Sequence, residues 1–197
     1  MVRSLCPTEE GSRQTKSVGS QEALLLLRAS FSAPKVLHLL RCSLSFSHPA
    51  LLEFDRLLWT ALEHITNRSF ADTEWIQVSL PIKDGGLGIR RVSSLALPAF
   101  LSSAAKTSSL QDRILAHSPR SDCQYFQDYL LMWLSSFGEP SHLLPFKQSF
   151  WDCPGVELDR ASVEAILVIP YQRVAFRAAT ARHMVIGYLL CQSHHVG

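Results

Sequence analysis

Between Pro49 and Asn67, Leu51, Phe54, Leu58, Ala61, Leu62 and Ile65 recur at three- and four-residue steps. That spacing lays them along one stripe of a helix. Glu53, Arg56, Thr60 and Glu63 take the other side. Pro49 suits a first turn, and Asn67 can end the helix in the left-handed conformation. A second stripe, Phe126, Tyr129, Leu130, Trp133 and Phe137, predicts a helix over 122–137 stopped by Gly138 and Pro140. Shorter helices are predicted over 21–28, from Pro34 to about residue 41 with Ser32 or Ala33 near the cap, and over 72–77 with Asp72 as the cap. Leu80-Pro81 ends the last of these, and Lys83 to Gly88 reads as a glycine-rich turn. Ser93 or Ser94 opens a helical stretch to about residue 116, with Pro98 in its first turn. Its weak middle, Lys106 to Ser109, leaves one helix or two. Residues 139–155 read as irregular, with a helical turn at 146–151. Helices over 159–169 and 171–186 follow, parted by Pro170.

Strand patterns are nearly absent, and no period of about 20–50 residues recurs. The expected fold is all-α, an irregular multi-helix bundle with little or no strand. One domain is expected over 21–190, between a disordered tail at 1–20 and a short flexible end at 191–197.

Composition changes this picture little. The chain has 197 residues, 47% hydrophobic and 18% charged. It is too apolar for a disordered protein and charge-poor against the usual ~25%. A net charge of +2 is no electrostatic footprint of nucleic-acid binding. The cysteines, Cys6, Cys42, Cys123, Cys153 and Cys191, are odd in number and widely spaced, which suits free thiols in a reducing compartment. The longest apolar run near the start, Ala23 to Leu27, is short for a signal core and far from the ~20 residues of a bilayer span. No membrane partner and no secretion are expected, and the cytoplasm or nucleus is the expected location.

Candidate chemistry is sparse. Gly85-Gly86-Leu87-Gly88 could cradle phosphate, but Ile89-Arg90-Arg91 follows where a phosphate loop needs Lys-Ser or Lys-Thr, so a structural turn is favoured. Phe70-Ala71-Asp72-Thr73 is half of the aromatic-Ala-Asp-Asp hairpin whose two carboxylates hold metal in reverse transcriptases. Thr73 replaces the second carboxylate, and a helix cap is favoured for Asp72. Cys191, His194 and His195 cluster without the second close pair of a zinc site. Arg90 with Arg91, and Arg173 with Arg177 one turn apart, are the candidate phosphate contacts. Trp75, Trp133 and Trp151 could stack on bases. Trp133 falls on an apolar stripe and reads as core, whereas helix periodicity does not explain Trp151.

From Trp75 to Arg90 the chain reads W-x-Q-x-x-L-P-x-x-x-G-G-L-G-I-R. This block, with Trp75, Gln77, Leu80, Pro81, Gly85, Gly86 and Gly88 at its fixed positions, resembles the segment after the polymerase domain in open reading frames of non-long-terminal-repeat retrotransposons. Ala99 to Ala104 matches the A-F-L-x-S-A of the helix that follows. Leu39 to Cys42, Phe54-Asp55, and Gln148 to Pro154 with Trp151, Asp152 and Pro154 are similar to the family as well. The likeness covers about residues 21–190.

The resemblance implies a thumb or connector region of a reverse-transcriptase-like protein, downstream of the metal-binding aspartates. No catalytic residue, metal ligand or cofactor is carried over. The expectation is a catalytically incomplete fragment, whose partners would be RNA or DNA and the absent upstream polymerase region. The alternatives are a nucleic-acid-binding helical module and a helical protein-interaction domain that uses the apolar face of 21–28.

Overall fold

The computed structural model describes residues 19–114, 124–138, 147–178 and 180. The tail at 1–18, the ends of the helices predicted near 116, 122 and 186, the Cys191 cluster and the flexible end at 191–197 lie outside them. Among the described residues there are helices and no strand, so the fold is all-α. In chain order these are α1 Ser20–Leu26, a π-helical turn Leu27–Phe31, α2 Ala33–Cys42, α3 Pro49–Thr66 and α4 Asp72–Ser79. A 3-10 turn Ile82–Asp84, α5 Val92–Ile114, α6 Gln124–Phe137 and α7 Gln148–Ile166 follow. A last helix, α8, covers 170–178.

Local chemistry sets several of these limits. In α3, Pro49 is the first residue, the His48 ring accepts a hydrogen bond from the Ala50 N–H at 3.2 Å, and Asn67 closes the helix at φ 51°. Ser32 is the N-cap of α2, with Pro34 in the first turn. Its N–H donates to the Leu27 carbonyl and its hydroxyl to the Arg28 carbonyl, each at 2.9 Å, which closes the π turn.

Helix α5 is the centre of the fold. Val92, Leu95, Ala96 and Ala99 pack with Leu27, Val36 and Leu40 from the first two elements and with Phe54, Leu58 and Leu62 of α3. Leu97 and Leu101 point the other way, to Trp133 of α6 and Trp151 of α7. A helix apolar around its whole circumference belongs inside, and the first half of α5 is of that kind. A third cluster joins Leu80 to Val156 and Val163 of α7 and Phe176 of α8.

Four expectations need correction. The stretch from Ser93 is a single helix that starts at Val92, so Pro98 lies in its second turn and not its first. The cap of α4 is Ala71, with Asp72 inside the helix; the Glu74 carboxylate accepts the Ala71 N–H at 3.0 Å. The irregular region does not reach 155. Helix α7 starts at Gln148 and runs through Pro154. A proline in a helix interior costs about 3 kcal/mol, which the burial of Trp151, Val156 and Val163 on both sides of it offsets.

The fourth concerns apolar length. Ser20–Cys42 forms a 23-residue helical stretch that is long and apolar enough to cross a membrane, by length and composition alone. Counting unbroken apolar residues misses it, because Arg28, Ser30, Ser32 and Lys35 interrupt a stretch whose mean hydropathy stays high. Ser32 breaks it at φ −89°, ψ −142°, and Ala23, Leu27, Val36 and Leu40 are buried within the protein.

Candidate functional site

The block from Trp75 to Arg91 folds into one compact device at the end of α4. Trp75 is buried and lies against Trp59 of α3 with ring centroids 5.5 Å apart. Leu80 ends α4, its N–H bonded to the Gln77 carbonyl at 3.1 Å. Beyond Pro81 the chain doubles back on the helix it has left. The Pro81 carbonyl accepts from the Asp84 and Gly86 N–H groups (2.9 and 3.1 Å), the Val78 carbonyl from Leu87 (3.0 Å) and the Leu80 carbonyl from Gly88 (2.9 Å). Carbonyls orphaned at a helix C-terminus are thereby satisfied.

The glycines are needed for this path. Gly85 and Gly88 have φ of 85° and 76°, the region that side chains disfavour. At Gly86 a Cβ would lie 2.1 Å from the Leu80 carbonyl oxygen. The turn is therefore structural, as its sequence indicates.

After the turn, Ile89 and Val92 are fully buried and the two arginines between them reach α7. Arg90 pairs with Asp152 at 2.7 Å, and Arg91 pairs with Asp159. Asp152 and Asp159 are seven residues apart, on one face of α7. Both pairs are largely shielded, so releasing either arginine to a phosphate would strand a carboxylate in a poorly solvated place.

The other two arginines also close on α7. Arg177 Nε donates to Glu164 at 2.5 Å, and Arg173 Nε to the Leu167 carbonyl at 2.5 Å. All four candidate phosphate contacts thus engage α7 or its C-cap, and Arg173 and Arg177 keep their guanidinium groups exposed.

Trp151 is core. Its ring is fully buried, edge-on to Trp133 at 5.0 Å, and its carbonyl accepts the Trp133 indole N–H at 3.0 Å. Its neighbour Asp152 holds Arg90, and Pro154 follows inside the same helix.

Asp55 is the residue whose role the sequence hid. It is buried on α3, where its carboxylate accepts the Val92 N–H at 2.6 Å, the Ser93 N–H at 3.1 Å and the Ser93 hydroxyl at 2.5 Å. It caps α5 from another helix and completes the device: the turn delivers the start of α5 to Asp55 and the two arginines to α7. The available signal was a carboxylate beside the apolar stripe, four residues after Leu51 and three before Leu58.

Burial pushes the Asp55 carboxyl above its ordinary value of about 3.9, against the pull of its three donors. The folded chain then holds this proton at a pH where the unfolded chain has released it. The carboxyl's contribution is full below the unfolded value and falls as pH rises through the folded one. Asp55→Asn removes that slope. Urea unfolding from pH 4 to 7 is expected to show the wild type's lead over Asp55→Asn shrinking with rising pH. A growing lead would mean that the donors outweigh burial.

A cleft of about 400 Å³ opens beside the turn, lined by Lys83 and Asp84 and by Asp152, Cys153, Glu157 and Arg160 of α7. Burial, and then the Glu157 carboxylate, raise the Cys153 thiol above its ordinary value. A thiol held protonated is a poor nucleophile. Among the described residues no group of three or more His, Cys, Asp or Glu could hold a metal ion. The tetrapeptide from Phe70 to Thr73 leads through the Ala71 cap into the first two residues of α4, with Glu63 accepting the Phe70 N–H at 3.0 Å.

No protein-family model matches the chain, and no curated protein or solved structure matches it either.

Proposed function

We propose that this chain is a catalytically incomplete helical piece of a retrotransposon reverse-transcriptase-like protein, equivalent to the connector after the polymerase palm. Its role is to hold helices together and not to carry out chemistry. The observation that supports this reading is the use of the block from Trp75 to Arg91. Trp75, Leu80 and Ile89 are buried, the glycines shape a turn, and Arg90 and Arg91 clasp α7. A long ordered motif spent on packing fits a scaffold better than a reactive centre.

Primer extension tests the reading. The purified chain, given an RNA template, a DNA primer, deoxynucleotides and magnesium or manganese, is expected to add no nucleotide above background. Metal-dependent extension that a single carboxylate substitution in this chain abolishes would overturn it. RNA or DNA as a partner rests on Arg173 and Arg177, whose bonds to the Leu167 carbonyl and to Glu164 are exposed to solvent, whereas the pairs of Arg90 and Arg91 are largely shielded.

A further inference from the structure

Arg90 and Arg91 stand three and two residues before Ser93, in the order Arg-Arg-Val-Ser. Ser93 is the only Ser or Thr in the sequence with a basic residue at both of those positions. Protein kinases choose their substrates by charge pattern. An acidic cleft reads two such arginines through bidentate, charge-assisted bonds to its carboxylates. A further carboxylate of the kinase takes the proton of the substrate hydroxyl. Recognition of this segment therefore needs carboxylates on both arginines and one on the Ser93 hydroxyl.

The fold fills all three places from within. Asp152 and Asp159 of α7 hold Arg90 and Arg91. Asp55 of α3 accepts the Ser93 hydroxyl at 2.5 Å. Ile89 and Val92, on either side of the arginines, are fully buried. The segment cannot enter a kinase cleft until α7 releases the arginines and the start of α5 lifts from α3. Once modified, it cannot return to the same place. A phosphate on the Ser93 oxygen leaves no proton for Asp55 and sets a charge of about −1.5 to −2 beside a buried carboxylate. A helix N-terminus ordinarily favours phosphate. Here the Val92 and Ser93 N–H groups are already given to Asp55, so repulsion decides the sign.

We propose that Ser93 is a phosphorylation site for an arginine-reading protein kinase, masked while α7 clasps the turn, and that its phosphate keeps Asp55 from capping α5. In the step, the Ser93 oxygen bonds to the γ-phosphorus of ATP and the bond from that phosphorus to the bridging oxygen breaks. ADP leaves, and the hydroxyl proton goes to the kinase carboxylate. When opening is fast, the rate follows the population of the opened chain. The clasp thus sets how readily the site is used, and the modification holds the chain open afterwards.

The test uses the full chain, the catalytic subunit of cyclic-AMP-dependent protein kinase, and ATP labelled in the γ-phosphate, with the labelled residue located by mass spectrometry. Asp152→Asn with Asp159→Asn opens the clasp and leaves the arginines in place. It should take label at Ser93 at least about tenfold faster than the wild type. Arg90→Gln with Arg91→Gln opens the same clasp and removes what the kinase reads. It should stay unlabelled, so the contrast holds even where both variants lose their fold. Ser93→Ala in the acid-free variant should abolish the label. The phosphorylated wild-type chain should melt below the unmodified chain, and treatment with a phosphatase should restore the midpoint. Four results would overturn the proposal: no label in the acid-free variant, equal label in the arginine-free variant, a wild type labelled as fast as the opened chain, or a phosphorylated chain that melts no lower than before.

Discussion

Trp151→Ala is expected to lower the unfolding free energy by about 4 kcal/mol, the range for emptying a buried aromatic site. The ring is fully buried between Trp133 and the α5 residues Leu97 and Leu101. Its removal leaves a cavity bordered by the Trp133 indole, which is tied to the Trp151 backbone carbonyl and cannot swing into the space without breaking that bond. The edge-to-face contact is lost as well, worth about 1 kcal/mol beyond area. Against a usual total of about 5–15 kcal/mol, this is a large fraction. Urea denaturation followed by far-ultraviolet circular dichroism would measure it, and Trp151→Phe should cost about half as much. A tryptophan used for base stacking would behave oppositely, leaving the midpoint alone and weakening nucleic-acid binding.

Gly86→Ala should cost about 3 kcal/mol or more although it adds a single methyl group. That methyl would meet the Leu80 carbonyl oxygen at 2.1 Å, its carbon at 2.6 Å and the Gln77 carbonyl oxygen at 2.7 Å. None of these is a flexible side-chain tip. Relief requires the turn to lift off α4, which breaks the bonds from Leu87 to Val78 and from Gly88 to Leu80 and moves Arg90 and Arg91 away from α7. Gly138→Ala is the control. Its φ of 80° is strained for alanine, but a Cβ there meets nothing within 4 Å. It should cost about 1 kcal/mol, the ordinary penalty for alanine in the left-handed region. Equal losses at the two positions would show that backbone conformation, and not the close approach, governs Gly86.

The helices with a full apolar stripe were legible in the sequence. Leu51 to Ile65 and Phe126 to Phe137 pack as their spacing predicts, because one face of each meets a core. The glycine turn was legible for a related reason: its residues are selected by local backbone geometry. What was hidden depended on partners distant in sequence. Pro154 reads as a break from its neighbours alone, and the burial that keeps α7 intact comes from α4, α5 and α6. Arg90 and Arg91 read as free cations because Asp152 and Asp159 lie 62 and 68 residues away. Asp55 read as part of a likeness, since the N–H groups it caps belong to a helix that begins 37 residues later.

The placement of α5 between two clusters sets an order on synthesis. The first cluster draws on residues up to Ala99, so it can close while the rest of the chain is still being made. Leu97 and Leu101 face outward from that early core until Trp133 and Trp151 have been translated. At about 5–20 residues per second, the 50 residues from Leu101 to Trp151 take roughly 3 to 10 seconds. During that interval a half-made protein presents a ready apolar groove at the ribosome. A chaperone that binds short hydrophobic segments would find its substrate there, and a ribosome stalled before Trp151 would release a chain with that groove still open.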